Sequence, residues 1–116
     1  MLYPCPCCGF LVHGRAGVDK NCPICGWEDN AYQLRFARVV GPPNNVSLRN
    51  AQRHHQERLS SVETASYARD RGWRMLSPDD IEQPDTKAGS TWPGSIEALY
   101  YWRPTYFRAE KERSAR

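Results

Sequence analysis

The chain has 116 residues, 40% of them hydrophobic, and a formal net charge of +3. That length holds one domain with a modest core. It contains no apolar run long enough to cross a bilayer, and so mild a charge permits an acidic protein or a nucleic acid as partner without demanding either.

The first element is the most informative. All five cysteines fall between Cys5 and Cys25, in two matched hooks, Cys5-Pro6-Cys7-Cys8-Gly9 and Cys22-Pro23-Ile24-Cys25-Gly26. A two-residue spacer lets one tight turn aim both sulfurs at one metal, so Cys5, Cys8, Cys22 and Cys25 are the expected ligands of a single structural zinc. The glycine after each second cysteine admits the left-handed backbone that such a turn reaches. Turn N–H groups can then face the thiolates. Cys7 is left out, because Cys5-x-Cys7 is a poorer pincer with no glycine directly after it; it is read as a small spare residue. Only Met1-Leu2-Tyr3-Pro4 precedes the first hook. With no secretory leader there, the chain is expected among the reduced thiols of the cytoplasm, where paired hooks mean metal more often than disulfides.

Between the hooks, Phe10-Leu11-Val12-His13 reads as a strand and Gly14-Arg15-Ala16-Gly17 as a turn, giving a hairpin with the metal between its knuckles. His13 is a strand residue in this reading. Trp27 is expected to cover the metal site or to anchor the ribbon on the rest of the chain. Glu28 and Asp29 are loop acids that pair with arginines or cap backbone N–H groups. Tyr32 through Val40 reads as a further strand. After the break at Gly41-Pro42-Pro43-Asn44-Asn45, Ser47 caps a helix with Leu48, Ala51, His55, Leu59 and Val62 as its apolar stripe. That helix ends near Ser60 or runs on to Gly72. His55 belongs to the packed face and His54 to solvent. Adjacent histidines on a helix point about 100° apart and cannot share one metal.

Trp73 through Leu76 reads as an extended connector. Ser77-Pro78-Asp79-Asp80 starts a short helix, stopped by Pro84. Ser95 caps another, Ile96 through Trp102, stopped by Pro104. Trp92, Tyr100, Tyr101, Trp102, Tyr106 and Phe107 crowd this last third. Most are expected in the core, but a helix cannot bury three neighbouring rings against one surface. At least one of Tyr100, Tyr101 and Trp102 is therefore expected at the surface or against another chain.

The front half resembles the small bacterial family of cysteine-rich CPCC proteins. The resemblance rests on Tyr3-Pro4-Cys5-Pro6-Cys7-Cys8-Gly9-Phe10, on Cys22-Pro23-Ile24-Cys25 with Trp27-Glu28-Asp29, and on Asn44-Asn45-Val46-Ser47-Leu48, read either with Asn45 as the family's asparagine or with Asn44 in that place and Asn45 replacing a family histidine. Asn50 and Gln52 depart from the pattern that follows. The similarity covers roughly residues 1–60 and implies a zinc-ribbon-like protein with no assigned activity.

The expected fold is α+β: a small zinc ribbon, a β-hairpin with a four-cysteine zinc site, packed with two to three short helices. Residues 1–102 form one domain, with the ribbon at about 1–40 and the helical part at about 47–102, followed by a basic tail at 103–116. The expected function is a structural-zinc binding module that contacts a protein partner of regulatory or toxin-neutralising type, through Arg49, Arg53, Tyr100, Tyr101 and Trp102. The alternative is nucleic-acid binding, with Arg35, Arg38, Arg49, Arg53 and Arg58 on phosphates and the C-terminal rings stacked on bases. No enzymatic activity is expected, since four thiolates leave zinc no position for water.

Overall fold

A computed structural model describes residues 1–58, 66–83 and 91–108. Two short strands, β1 (Tyr3–Pro4) and β2 (Leu11–His13), pair antiparallel around the first hook, with Tyr3 opposite His13 and Pro4 opposite Leu11. The expected hairpin is therefore displaced. The partner of β2 precedes the first hook instead of leading into the second. Each hook is a knuckle with its own pair of flanking segments, and the two are built alike. The residue before the hook pairs with the residue after its exit, Pro4 with Leu11 and Asn21 with Glu28. The first cysteine donates its N–H to Phe10 (2.9 Å) or Trp27 (2.8 Å), and each glycine N–H returns to that cysteine's carbonyl, at 2.7 and 2.9 Å.

The edge beside the first knuckle is covered by distant chain. Leu11 N–H donates to Ala68 O (2.8 Å), Asp70 N–H donates to Gly9 O (2.7 Å), and Phe10 bridges Arg69. This extended segment excludes a helix running unbroken to Gly72. Backbone groups at an open edge need partners, and residues 68–70 supply them.

The strand expected over Tyr32 to Val40 is instead α1 (Ala31–Arg35) and a turn. Asn30 decides this locally, its side chain accepting the Gln33 N–H at 3.0 Å as a helix N-cap. One turn of helix then brings the Tyr32 and Phe36 rings edge to face at 4.9 Å, the i, i+4 contact that β-propensity alone does not register. Arg35 is buried and forms a two-pronged pair with Glu82, both bonds at 3.0 Å. Its guanidinium lies 4.7 Å from the Trp92 ring centroid and 5.2 Å from that of Phe107.

The second long helix is α2 (Leu48–Arg58), capped by Ser47, whose hydroxyl accepts the Asn50 N–H at 3.1 Å. Leu48, Ala51 and Gln52 face the core. Leu59 and Val62 of the expected stripe, and Pro84 with its stop, lie outside the described residues. Two single 3-10 turns follow, Pro78–Asp80 and Ile96–Leu99. The first is closed by Asp80, which accepts the Ser77 N–H at 2.8 Å. The second is capped by Ser95, which accepts the Glu97 N–H at 3.1 Å.

The helix expected to continue through Trp102 ends at Leu99, and the backbone at Tyr100 is extended. That change corrects the expectation for the rings. Tyr100, Tyr101 and Trp102 are all buried, at 0, 6 and 8% exposure. After Tyr100 the chain turns, Arg103 N–H donating to Tyr100 O at 3.1 Å, and the rings pack on one another: Trp102 stacks on Tyr100 at 5.0 Å and meets Tyr101 edge to face at 4.9 Å. Tyr101 accepts from Gln52 Nε2 at 3.0 Å and donates to Arg74 O. Trp102 Nε1 donates to Asp70 at 2.7 Å.

The packing continues past Trp102. Arg103 pairs with Asp70 at 2.8 Å, and Phe107 N–H donates to Ala98 O at 2.9 Å. Residues 109–116 of the expected tail lie outside the described residues.

Burial pushes the Asp70 carboxyl up, but bonds from Arg103 and Trp102 more than offset this, leaving it below the usual carboxylate range. A depressed pKa contributes stability that is present above the unfolded value and lost as pH falls through the folded one. The stability gap between the native chain and Asp70→Asn is therefore expected to hold steady above about pH 5 and to shrink below about pH 4. Urea melts, run from neutral pH downward at each pH where both proteins keep their metal, check this.

Candidate metal centre

The like-built knuckles face each other, which brings their four cysteines together. One sulfur from each of Cys5, Cys8, Cys22 and Cys25 lies within 4.8 Å of the other three. Across the knuckles, Cys5 Sγ is 3.5 Å from Cys25 Sγ, and Cys8 Sγ is 3.7 Å from Cys22 Sγ. A disulfide needs about 2.05 Å, and all five cysteines are free. A tetrahedron of metal–sulfur bonds of about 2.3 Å has edges of about 3.8 Å, and the two cross-knuckle distances approach that. Cys5, Cys8 and Cys22 are buried and Cys25 half-buried.

Gly9 and Gly26 both sit at φ +82°, in the left-handed region expected of them. Ile24 N–H points at Cys22 Sγ from 3.3 Å, a turn amide facing a thiolate as anticipated. Without a cation, crowding holds protons on most of these thiols. Burial pushes Cys5 up, and hydrogen bonding with Cys22 raises Cys8 and Cys25. Cys22 is pushed down, because Cys25, Cys5 and Cys8 all stabilise its thiolate through hydrogen bonds. A bound cation would take over that stabilisation for all four sulfurs. The donor set and its geometry fit a metal ion.

Residues 3–68 match the family described as cysteine-rich CPCC. The chain belongs to the cysteine-rich CPCC family. No curated protein matches it. The CPCC match spans both knuckles, α1, α2 and the start of the edge segment, and stops short of Trp73 and the buried C-terminal rings.

Other residues of the expected site fall as follows. Trp27 is buried in the cluster that contains the cysteines. Asp29 is buried and its carboxylate accepts the Val18 N–H at 3.1 Å, the capping role expected of a loop acid. His13 is buried at the end of β2. On α2, Arg53 is exposed and Arg49 half-buried. Tyr100, Tyr101 and Trp102, expected beside them on a partner face, are in the core instead.

Three amides that periodicity did not single out hold the CPCC knuckles in place. Asn44 accepts the Glu28 N–H and donates to the Glu28 carbonyl, both at 2.9 Å, serving the second knuckle as a strand partner would. Gln33 donates to Val39 O and Val46 O, both at 3.1 Å, and accepts from Asn44 N–H at 3.2 Å. Gln52 donates to Pro6 O inside the first knuckle at 2.9 Å and accepts the Leu76 N–H at 2.8 Å. The sequence signal for Asn44 was shared with Asn45, since either fits the family's asparagine position ahead of the helix. For Gln33 and Gln52 no local signal exists, since their partners are distant in sequence.

Proposed function

We propose that the chain is a non-catalytic binding module built on a structural zinc ion, and that its partner is a protein in the reducing cytoplasm. The observation that carries the reading is the closed set of Cys5, Cys8, Cys22 and Cys25. Thiolate donors in tetrahedral array select zinc or iron–sulfur chemistry, and a single ion held by four sulfurs has no position left for substrate. The free thiols support a reducing compartment. Among the described residues, no helix is long and apolar enough to cross a membrane.

A protein partner is favoured over nucleic acid by what is exposed. The rings suited to stacking on bases, Tyr100 to Trp102, are buried, whereas Tyr32 and Trp92 lie 6.5 Å apart at 45 and 42% exposure. Exposed aromatic rings are enriched at protein contacts, and the arginine beneath the Trp92 ring, Arg35, is buried and paired with Glu82, so it offers no charge to a phosphate.

Elemental analysis of protein purified without added metal is expected to find zinc, lost in Cys22→Ser; resident iron would overturn the zinc reading. Fluorescence anisotropy with labelled single-stranded RNA and DNA is expected to show no binding at low salt. Tight binding that weakens steeply with salt would replace the protein partner with nucleic acid.

A further inference from the structure

We propose that Cys7, Cys25 and His55 form a second metal site fused to the first through Cys25, so that the protein carries a pair of zinc ions. The proposal rests on the four-thiolate reading above, because Cys25 is common to both sets. One ligand atom from each of Cys7, Cys25 and His55 lies within 4.8 Å of the other two, the same closeness that unites the four thiols.

The fold supplies the three from separate places. Cys7 sits inside the first knuckle, fully buried. Cys25 closes the second, and His55 stands one turn beyond Ala51 on α2. Nothing in sequence spacing predicts the meeting, which depends on how α2 lies across both knuckles. Bonding geometry has an edge of about 3.8 Å for sulfur ligands, so any contraction needed is at most about 1 Å from the 4.8 Å limit.

The chemistry suits a second zinc. Two thiolates and an imidazole are a donor set for zinc or copper(I), not for magnesium or calcium. A thiolate sulfur keeps lone pairs after binding one metal and can bridge to another. Four thiolates around one dication leave excess negative charge in a largely buried place, which is costly. A second cation that also recruits Cys7 reduces that excess. With three protein ligands, the new ion keeps a fourth position. Cys25 and His55 both line a cleft of about 450 Å³, shared with Trp27, Glu28 and His54. Water from that cleft fills the fourth position in the free protein.

The test is a metal titration of the full chain under reducing, anaerobic conditions, with cobalt(II) as the spectroscopic probe and zinc to confirm stoichiometry. The native protein is expected to take two equivalents. His55→Ala and Cys7→Ser are each expected to take one, keeping the thiolate-to-cobalt absorption of the first site and the native circular dichroism. A native protein that takes one equivalent, lost in Cys22→Ser but unchanged in His55→Ala, would overturn the second site and leave the four-thiolate site standing. A native protein that takes none would overturn both. Should Cys7→Ser fail to fold, His55→Ala decides alone, since its half-buried side chain stands on α2, outside both knuckles.

Discussion

Chelating the metal under reducing conditions is expected to unfold the chain, with loss of near-ultraviolet circular dichroism and of cooperative thermal unfolding; Cys22→Ser should do the same. The ligand cysteines are part of the core, with Cys25 half-buried against it. Cys5, Cys8 and Cys22 belong to the same packed cluster as Trp27, Leu48, Leu99 and Tyr100, so losing the ion opens the middle of the fold. Structural zinc in small domains contributes on the order of 10 kcal/mol of apparent binding energy, as much as the whole stability of an ordinary domain of roughly 5–15 kcal/mol. The regular structure cannot compensate, since β1 and β2 are two and three residues long. Acidification is expected to release the ion, because the ligands bind as thiolates and protons compete for them. Near-ultraviolet dichroism followed during chelation checks the first expectation. An apoprotein that melts cooperatively at the native temperature would refute the structural role.

Gly9→Ala is expected to destabilise the metal-loaded protein by about 2–5 kcal/mol, and Gly26→Ala by about 1–2 kcal/mol, although the two glycines occupy equivalent places in equivalent knuckles. Both hold φ +82°, where an L-residue is strained by about 1–2 kcal/mol. They differ in what a methyl group would meet. At Gly26 nothing lies within 4 Å, whereas at Gly9 the Cγ and Cδ2 atoms of Trp73 would be 2.5 Å away. Trp73 cannot easily retreat. Its Nε1 donates to Pro6 O at 3.2 Å, and the Arg69 guanidinium lies 4.9 Å from its ring centroid. Overpacking against so fixed a ring adds about 1–3 kcal/mol. Urea denaturation of the two variants, at equal metal content, measures the difference. Equal losses would show that the Trp73 ring does not rest on Gly9.

Much of the metal site was legible because its chemistry is local. A Cys-x-x-Cys-Gly hook closes on itself, so ligand pairs, glycine conformation and turn amides follow from a few consecutive residues. Helix starts were legible for the same reason at Ser47, Ser77 and Ser95, where a polar side chain meets an N–H two or three residues away. Asn30 is a cap of the same kind, but the strand expected over Tyr32 to Val40 took no account of it; the cap and the burial of Arg35 against Glu82 decide for a helical turn. The three consecutive rings were misplaced by assuming a helix through Trp102, when the chain leaves the helix at Leu99 and turns, so that Trp102 packs on both Tyr100 and Tyr101 and all three are buried together.

By itself, then, the sequence determined that two matched knuckles present four thiols to one metal, because each knuckle is made by contacts within half a dozen residues. Which edge residues 68–70 cover, why Gly9 is less replaceable than Gly26, where Tyr100 to Trp102 go, and that His55 reaches Cys7 and Cys25 were decided only by the tertiary structure. Those outcomes depend on segments far apart in the chain competing for the same buried space and the same unpaired backbone groups, and no local pattern records the winner of that competition.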